Sequence, residues 1–284
     1  MCSSTFSPLR YPGGKFSMLK FTQKLIYDNG LQRCHYIEPY AGGAGLALAL
    51  MYNGVVSEIY INDIDPAIWS FWHSILNYTE EFSTMVKATP ITMDEWNKQK
   101  EINLKGDITN PFLLGFSTFF LNRTNRSGII KGAGVIGGKK QLGMYKIDCR
   151  FNKEKLIERI LRIKKYSNRI NLSNLDAIEF ISEIEKQTPI GTLFFIDPPY
   201  YNKGSSLYTS FYNPEDHLQV SKVVKKIKKP WIVTYDNDPY IESLYNDYKT
   251  TPFNINYSLQ TKRKGKELLI SSKKLKIPNL ENLK

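Results

Sequence analysis

The chain has 284 residues, 42% of them hydrophobic and 13% aromatic. That is enough apolar material for one large domain, or one domain with an insertion, and it excludes wholesale disorder. The net charge of +12 points to a polyanionic partner. Cys2, Cys34 and Cys149 are odd in number and lack C-x-x-C spacing, so a disulfide framework is excluded and a reducing compartment expected. His35, His73 and His217 have no metal-ligand spacing, and no metal is expected. There is no signal-peptide pattern, and no apolar run approaches the roughly 20 residues that span a bilayer. The expectation is a cytoplasmic protein with no membrane association.

Gly13-Gly14-Lys15 looks like part of a P-loop, but Leu9 stands where the first glycine belongs and Phe16 where Ser or Thr belongs. Cys34 to Ile37 reads as a strand, followed by the turn Glu38-Pro39-Tyr40-Ala41-Gly42-Gly43-Ala44-Gly45 and an apolar helix, Leu46 to Met51. Glycines let the backbone approach a ligand, and the helix start supplies free N–H groups. The next strand, Glu58 to Ile61, ends in Asn62-Asp63-Ile64-Asp65. Asp63 lies about 20 residues beyond the glycine turn, the separation at which an acid meets ribose hydroxyls in nucleotide-binding α/β folds. A tight turn with no ligand, and an aspartate that caps a helix, is the structural alternative.

From Pro66 the pattern changes. Trp69, Phe71, Trp72 and Ile75 share a helix face, Asp94 to Lys105 is a polar helix or loop, and Pro111 to Leu121 is an apolar helix. Arg123 to Arg150 reads as an irregular basic loop or hairpin. Residues 120–170 hold 14 Lys and Arg against Asp148, Glu154 and Glu158, nearly the whole net charge. A one-signed, glycine-rich stretch fits an electrostatic footprint for phosphates. The helical run Asn152 to Ser167 also allows its lysines to be a wet face.

The remainder returns to α/β: a strand at Arg169 to Leu172, a helix opened by Asn174-Leu175-Asp176, a helix at Asp216 to Lys229, and a strand at Trp231 to Thr234. A last hairpin pairs Thr251 to Ser258 with Glu267 to Ser272 across a basic loop, Lys262 to Lys266. Between them the apolar run Leu193 to Ile196 leads into Asp197-Pro198-Pro199-Tyr200. Asp197 offers an ionised acceptor, the prolines offer carbonyls on a stiff backbone, and Tyr200 offers a flat face. At the carboxyl end of a strand, that set suits a planar group bearing an amine.

The ordered set Tyr11-Pro12-Gly13-Gly14-Lys15, Glu38 to Gly45, Asn62 to Asp65 and Asp197 to Tyr200 resembles the Dam-type DNA adenine-N6 methyltransferases, which use S-adenosylmethionine. Asn122-Arg123-Thr124-Asn125-Arg126-Ser127-Gly128 resembles the opening of their recognition hairpin. The resemblance implies a Rossmann-like methyltransferase sheet with helices on both faces, over 1–65 and 152–284. It also implies an inserted, mainly helical target-recognition domain with a basic loop or hairpin, over 66–151. Tyr11, Gly14 and Lys15 would lie by the cofactor, and Lys15 also near the target base. Glu38, Tyr40 and Gly42 would line the methionine side, Asp63 would take the ribose hydroxyls, and Asp176 the adenine amine. Asp197 and the carbonyl of Pro198, stiffened by Pro199, would hold the target amine, with Asp197 also at the cofactor's edge, and Tyr200 would stack on the flipped base. Arg123, Asn125, Arg126, Lys131, Lys139 and Lys140 would meet double-stranded DNA. Cytosine-N4 methylation needs the same amine chemistry and stays open at this point, as does a catalytically silent DNA-binding relative.

Overall fold

The structure is a computed structural model that describes residues 6–11, 13–201, 212–257 and 263–279. Pro12 of the first motif, Cys2, Ser258 at the expected strand end and Lys262 lie outside the described residues. Contacts divide the chain into two compact units. One joins Gly13–Ile64 to Arg169–Lys284, and the other joins Met1–Pro12 to Asp65–Asn168.

The first unit is built on a sheet. Its strands are β1 (Cys34–Glu38), β2 (Val56–Asn62), β3 (Ile170–Ser173), β4 (Leu193–Ile196), β5 (Trp231–Asp236), β6 (Lys249–Tyr257) and β7 (Arg263–Ser271). They lie in the order β3-β2-β1-β4-β5-β7-β6. Pairs among β1 to β5 are parallel, and β7 runs antiparallel to both neighbours. The α/β expectation of a Rossmann-like sheet is met. Both faces are buried, because alternate residues of one strand are covered on opposite sides. Phe194, Ile196, Trp231, Val233, Leu268 and Ile270 pack with α8 (Ala177–Gln187), α9 (Pro214–Val224) and α10 (Pro239–Leu244). Tyr36, Phe195, Ile232 and Leu269 point the other way and are at most 2% exposed. The helices α1 (Leu19–Asp28) and α2 (Gly45–Tyr52) also belong to this unit. Its chain runs outward from β1 through β2 to β3, then returns to place β4 on β1's other side. The direction switches between β1 and β4, the point of an open α/β sheet outside which ligands bind.

The last hairpin forms as expected, but β7 begins earlier, so Lys264 to Lys266 are strand residues. The strand alternates through them because Gly265 and Lys266 pair with Ile255 and Asn254.

The second unit is helical: α3 (Pro66–Asn77), α4 (Thr79–Ala88), α5 (Met93–Lys105), α6 (Pro111–Thr124) and α7 (Lys153–Lys164). Helix α6 carries apolar residues on every side, which marks a helix enclosed by its neighbours; Leu114 to Asn122 are buried without a break. It lies so close to α3 that a Cβ on Gly115 would stand 2.4 Å from the Ser70 carbonyl oxygen. Phe116 and Phe119 of this helix join Phe71, Phe82 and Phe151 in a network of edge and stacked rings. The stretch Asp94 to Lys105 is a helix, and Asn103 is buried there because its amide donates to Ser117 and Thr118 hydroxyls. Helix α7 and Phe6 to Tyr11, which the sequence reading put with the sheet, fall within this unit. Among the described residues, no helix is long and apolar enough to cross a membrane.

Candidate active site and nucleic-acid interface

The glycine turn leaves β1 with Gly42 at φ 47° and Ala44 at φ 44°, both left-handed, and α2 starts at Gly45. Asp63, just past β2, accepts a hydrogen bond from the Gly42 N–H at 2.9 Å through Oδ2. The acid and the turn are therefore joined by a direct hydrogen bond, a link that the sequence reading did not foresee. Asn62 was quoted in the motif but given no role in the sequence reading. It is 1% exposed, donates to the carbonyls of Pro39 and Leu175, and accepts from the Leu175 N–H. One amide at the end of β2 thus ties together the loops after β1 and β3. Asp176 follows β3 and caps α8, with Oδ1 accepting from the Ile178 N–H at 2.8 Å. It is exposed.

Glu38 is 7% exposed and accepts from the Tyr36 hydroxyl at 3.1 Å. Burial, with the nearby Asp197 charge adding to it, pushes its pKa up to about 8. Tyr40 is half-buried, its hydroxyl 3.2 Å from that of Tyr212. Gly14 is exposed and Lys15 buried, at the start of a 3-10 turn (Lys15–Met18). Tyr11 falls within the helical unit.

These residues fit the group that the family motifs imply. Glu38 ends β1, Asp63 and Asp176 come after the neighbouring parallel strands β2 and β3, and all three are acceptors. S-adenosylmethionine offers the complementary set: a sulfonium, an ammonium, a ribose diol and an adenine amine. A buried acid poised near pH 8 also gains from a nearby cation, which would return it to the ionised form.

Asp197 lies at the carboxyl end of β4. Its Oδ1 accepts from the Thr234 hydroxyl at 2.6 Å and pairs with Lys15 Nζ at 2.9 Å. Its Oδ2 has no hydrogen-bond partner among the described residues, and the side chain is 20% exposed. Pro198 is buried and Pro199 partly so. The Tyr200 ring is also buried, with Lys15 Nζ 5.1 Å from its centroid. Its hydroxyl accepts from Lys15 at 2.9 Å and donates to Glu267. Glu267, fully buried on β7, is 3.7 Å from Lys15 Nζ. Neither Thr234 nor Glu267 stood out in the sequence. Burial lifts Asp197 above the ordinary carboxylate range; Lys15 pulls it back, Glu267 pushes it further, and the net direction is upward. Burial works against the Lys15 charge, but the two acids outweigh it and hold the ammonium above its usual pKa.

In the helical unit the basic residues divide into two kinds. Arg123 donates to the Arg150 carbonyl, and burial beside Arg10, Arg159 and Arg150 lowers its pKa to about 9. Asn125 is 1% exposed, accepts from the Trp96 indole, and donates to the carbonyls of Ile129 and Ile130. Its polarity is consumed inside, so it shapes the segment and presents nothing outward, contrary to the sequence reading. Lys153, Arg159 and Lys164 likewise reach carbonyls of Lys87, Ser7 and Leu76. Arg126, Lys131, Lys139 and Lys140 are exposed. The first three border a cavity of about 310 Å³ with Trp96 and Lys100, and no acid lines it.

Among the described residues, no group of three or more His, Cys, Asp or Glu is placed to hold a metal ion.

The chain is similar to the retron Ec67 DNA adenine methylase of Escherichia coli, 22% identical over 219 residues, 75% of this chain and 72% of that protein. Among solved structures, a putative RNA methyltransferase of Pyrococcus horikoshii has a TM-score of 0.42 at 11% identity, covering 93% of this chain and 84% of that one. The rRNA methyltransferase aviRa of Streptomyces viridochromogenes has a TM-score of 0.38 at 10% identity, covering 88% and 82%. A model of the D12 class N6 adenine-specific DNA methyltransferases matches residues 11–262, nearly the whole chain, and the chain belongs to that family of enzymes.

Proposed function

We propose that this chain moves the methyl group of S-adenosylmethionine onto the N6 amine of an adenine flipped out of duplex DNA, within a short specific sequence. The observation that carries the reading is the state of Asp197: one carboxylate oxygen is locked by Lys15 and Thr234, and the other has no described partner. A fixed acceptor at the switch point of the sheet is what an exocyclic amine requires.

When bound, the cofactor supplies a methyl group already activated on a sulfonium. In this reading Asp63 holds the ribose hydroxyls, Asp176 the adenine amine, and Glu38, Tyr40 and Gly42 the methionine portion, with Tyr11 and Gly14 alongside. The adenine amine is a poor nucleophile because its lone pair is delocalised into the ring. N–H bonds to Asp197 Oδ2 and the Pro198 carbonyl draw the nitrogen toward tetrahedral geometry and stabilise its developing positive charge. In this reading Asp197 also takes the proton that the nitrogen sheds. Extruding the base costs a few kcal/mol, and stacking on Tyr200 returns about 1–3 kcal/mol. Arg126, Lys131, Lys139 and Lys140 contribute the phosphate contacts of the basic segment, while Arg123 and Asn125 hold its shape.

The test is direct. Purified full-length protein, duplex DNA of mixed sequence and S-adenosylmethionine should yield N6-methyladenine and S-adenosylhomocysteine. DNA whose adenines all stay unmodified contradicts the reading.

A further inference from the structure

A carboxylate with no exposure sits in the middle of β7, followed in the strand by Leu268, Leu269 and Ile270. Burying such a charge is expensive unless it is paired and hydrogen-bonded, and an apolar side chain would fill the position at less cost. Glu267 does not serve the sheet, whose ladder uses only backbone groups. Its side chain instead receives the Tyr200 hydroxyl and lies 3.7 Å from Lys15 Nζ.

We propose that Glu267 is a positioning residue for methyl transfer: it holds the Tyr200 hydroxyl and takes a share of Lys15, so that Asp197 keeps its acceptor strength toward the target amine. This rests on the reading of Asp197 as the amine acceptor. An ammonium 2.9 Å from Asp197 would, alone, neutralise the acid that the amine must find. With Glu267 present, two carboxylates share one ammonium, and the group keeps a surplus negative charge. A nitrogen that turns positive as it accepts a methyl group then completes the balance. The same acid fixes the Tyr200 ring, because the hydroxyl is held on one side by Lys15 and on the other by Glu267.

Among the described residues, the titratable and charged groups around Asp197 are Lys15 of the 3-10 turn, Tyr36 and Glu38 of β1, Tyr235 of β5 and Glu267 of β7. Around Glu267 they include Lys15, Tyr200 and Asp197, with Asp236 directly across on β5. Of these, Glu267 is the acid that raises Asp197 while sharing Lys15 with it.

The test uses the full chain and measures single-turnover transfer to duplex DNA against pH. Glu267→Gln keeps the shape and can still accept from Tyr200, but it removes the charge. Expected is a loss of about 10- to 100-fold in rate, the scale seen when the outer partners of a reactive group are removed. Affinities for cofactor and DNA should stay within about threefold. The acid limb should move to lower pH, since losing a neighbouring negative charge makes Asp197 easier to ionise. A rate within about threefold of the parent, or a slow variant whose limb has not moved, overturns the proposal. Should Glu267→Gln not fold, Tyr200→Phe carries the test, since it keeps the stacking face and cuts the link to Glu267. It should slow transfer about 10-fold, the effect of losing a charged hydrogen-bond link, and an unchanged rate overturns the proposal. Asp197→Ala separates the two claims. If it stays active, the amine-acceptor reading falls as well; if it is dead while Glu267→Gln is unaffected, only this inference falls.

Discussion

Asp197→Ala removes the acceptor on which the chemistry depends. In the folded protein it also deprives the fully buried Thr234 hydroxyl of its acceptor, while Lys15 retains the Tyr200 hydroxyl and Glu267. Leaving one buried hydroxyl unsatisfied costs about 1–3 kcal/mol. A domain is typically stable by about 5–15 kcal/mol, so the variant should remain folded. Catalysis suffers more. Losing one fixed group aimed at charge that develops in the transition state costs about 3–4 kcal/mol, or 10²–10³ in rate. Loss of the proton acceptor adds to that, so turnover should fall at least about 10³-fold. The glycine turn is ordered by Asp63 and Asn62, which do not depend on Asp197, so affinity for S-adenosylmethionine should change little. Rapid-quench methylation of duplex DNA and calorimetric titration of the cofactor separate the two effects. A variant that turns over within about tenfold of the parent refutes the reasoning. A variant that binds no cofactor shows that Asp197 belongs to the cofactor site instead.

Cofactor binding should release protons. Glu38, held at about 8 by burial, is mostly protonated at pH 7 in the free protein, and a cation beside it returns it to the carboxylate. Calorimetry in buffers of different ionisation enthalpy should find about 0.5–1 proton released; no buffer dependence removes Glu38 from the cation's vicinity. Asn62→Ala should lower stability by about 3 kcal/mol, since it strands two carbonyls and an N–H, and should weaken cofactor binding; a melting temperature equal to the parent's contradicts this. Arg126→Ala should weaken DNA binding at every sequence and reduce the salt slope by about 1, and an unchanged slope moves the contact elsewhere. Gly115→Ala should destabilise by at least about 1–3 kcal/mol, because the new Cβ would stand 2.4 Å from a backbone oxygen of α3; denaturant unfolding checks it.

The parts of the site that could be read from the sequence are those whose chemistry and local context coincide. Asp197 follows four apolar residues, so its place at a strand end was visible. Asp63 was visible by its distance from Gly42, and the hydrogen bond between them gives that spacing its cause. Glu267 was hidden because it ends the polar run Lys262 to Lys266, where an acid reads as surface charge. Only the pairing of β7 with β5, which brings it against residues 15 and 200, reveals it. Thr234 was hidden for a related reason: threonine is ordinary in a strand, and its partner lies just past another strand. Asn125 misled in the opposite direction. Among arginines and glycines an asparagine looks like a ligand, but Trp96, 29 residues away, claims its oxygen. Helix α5 was ambiguous because Gln99 and Asn103 are buried there. Partners distant in sequence satisfy Asn103, and periodicity cannot show such partners.

The most direct measurement is single-base mapping of modifications on DNA incubated with the purified full-length chain and S-adenosylmethionine, with S-adenosylhomocysteine measured in the same reaction. Methylated N6 of adenine, confined to one short sequence context and matched mole for mole by S-adenosylhomocysteine, is the predicted result. DNA with no methylated adenine, or methyl groups found on cytosine N4 instead, would contradict it.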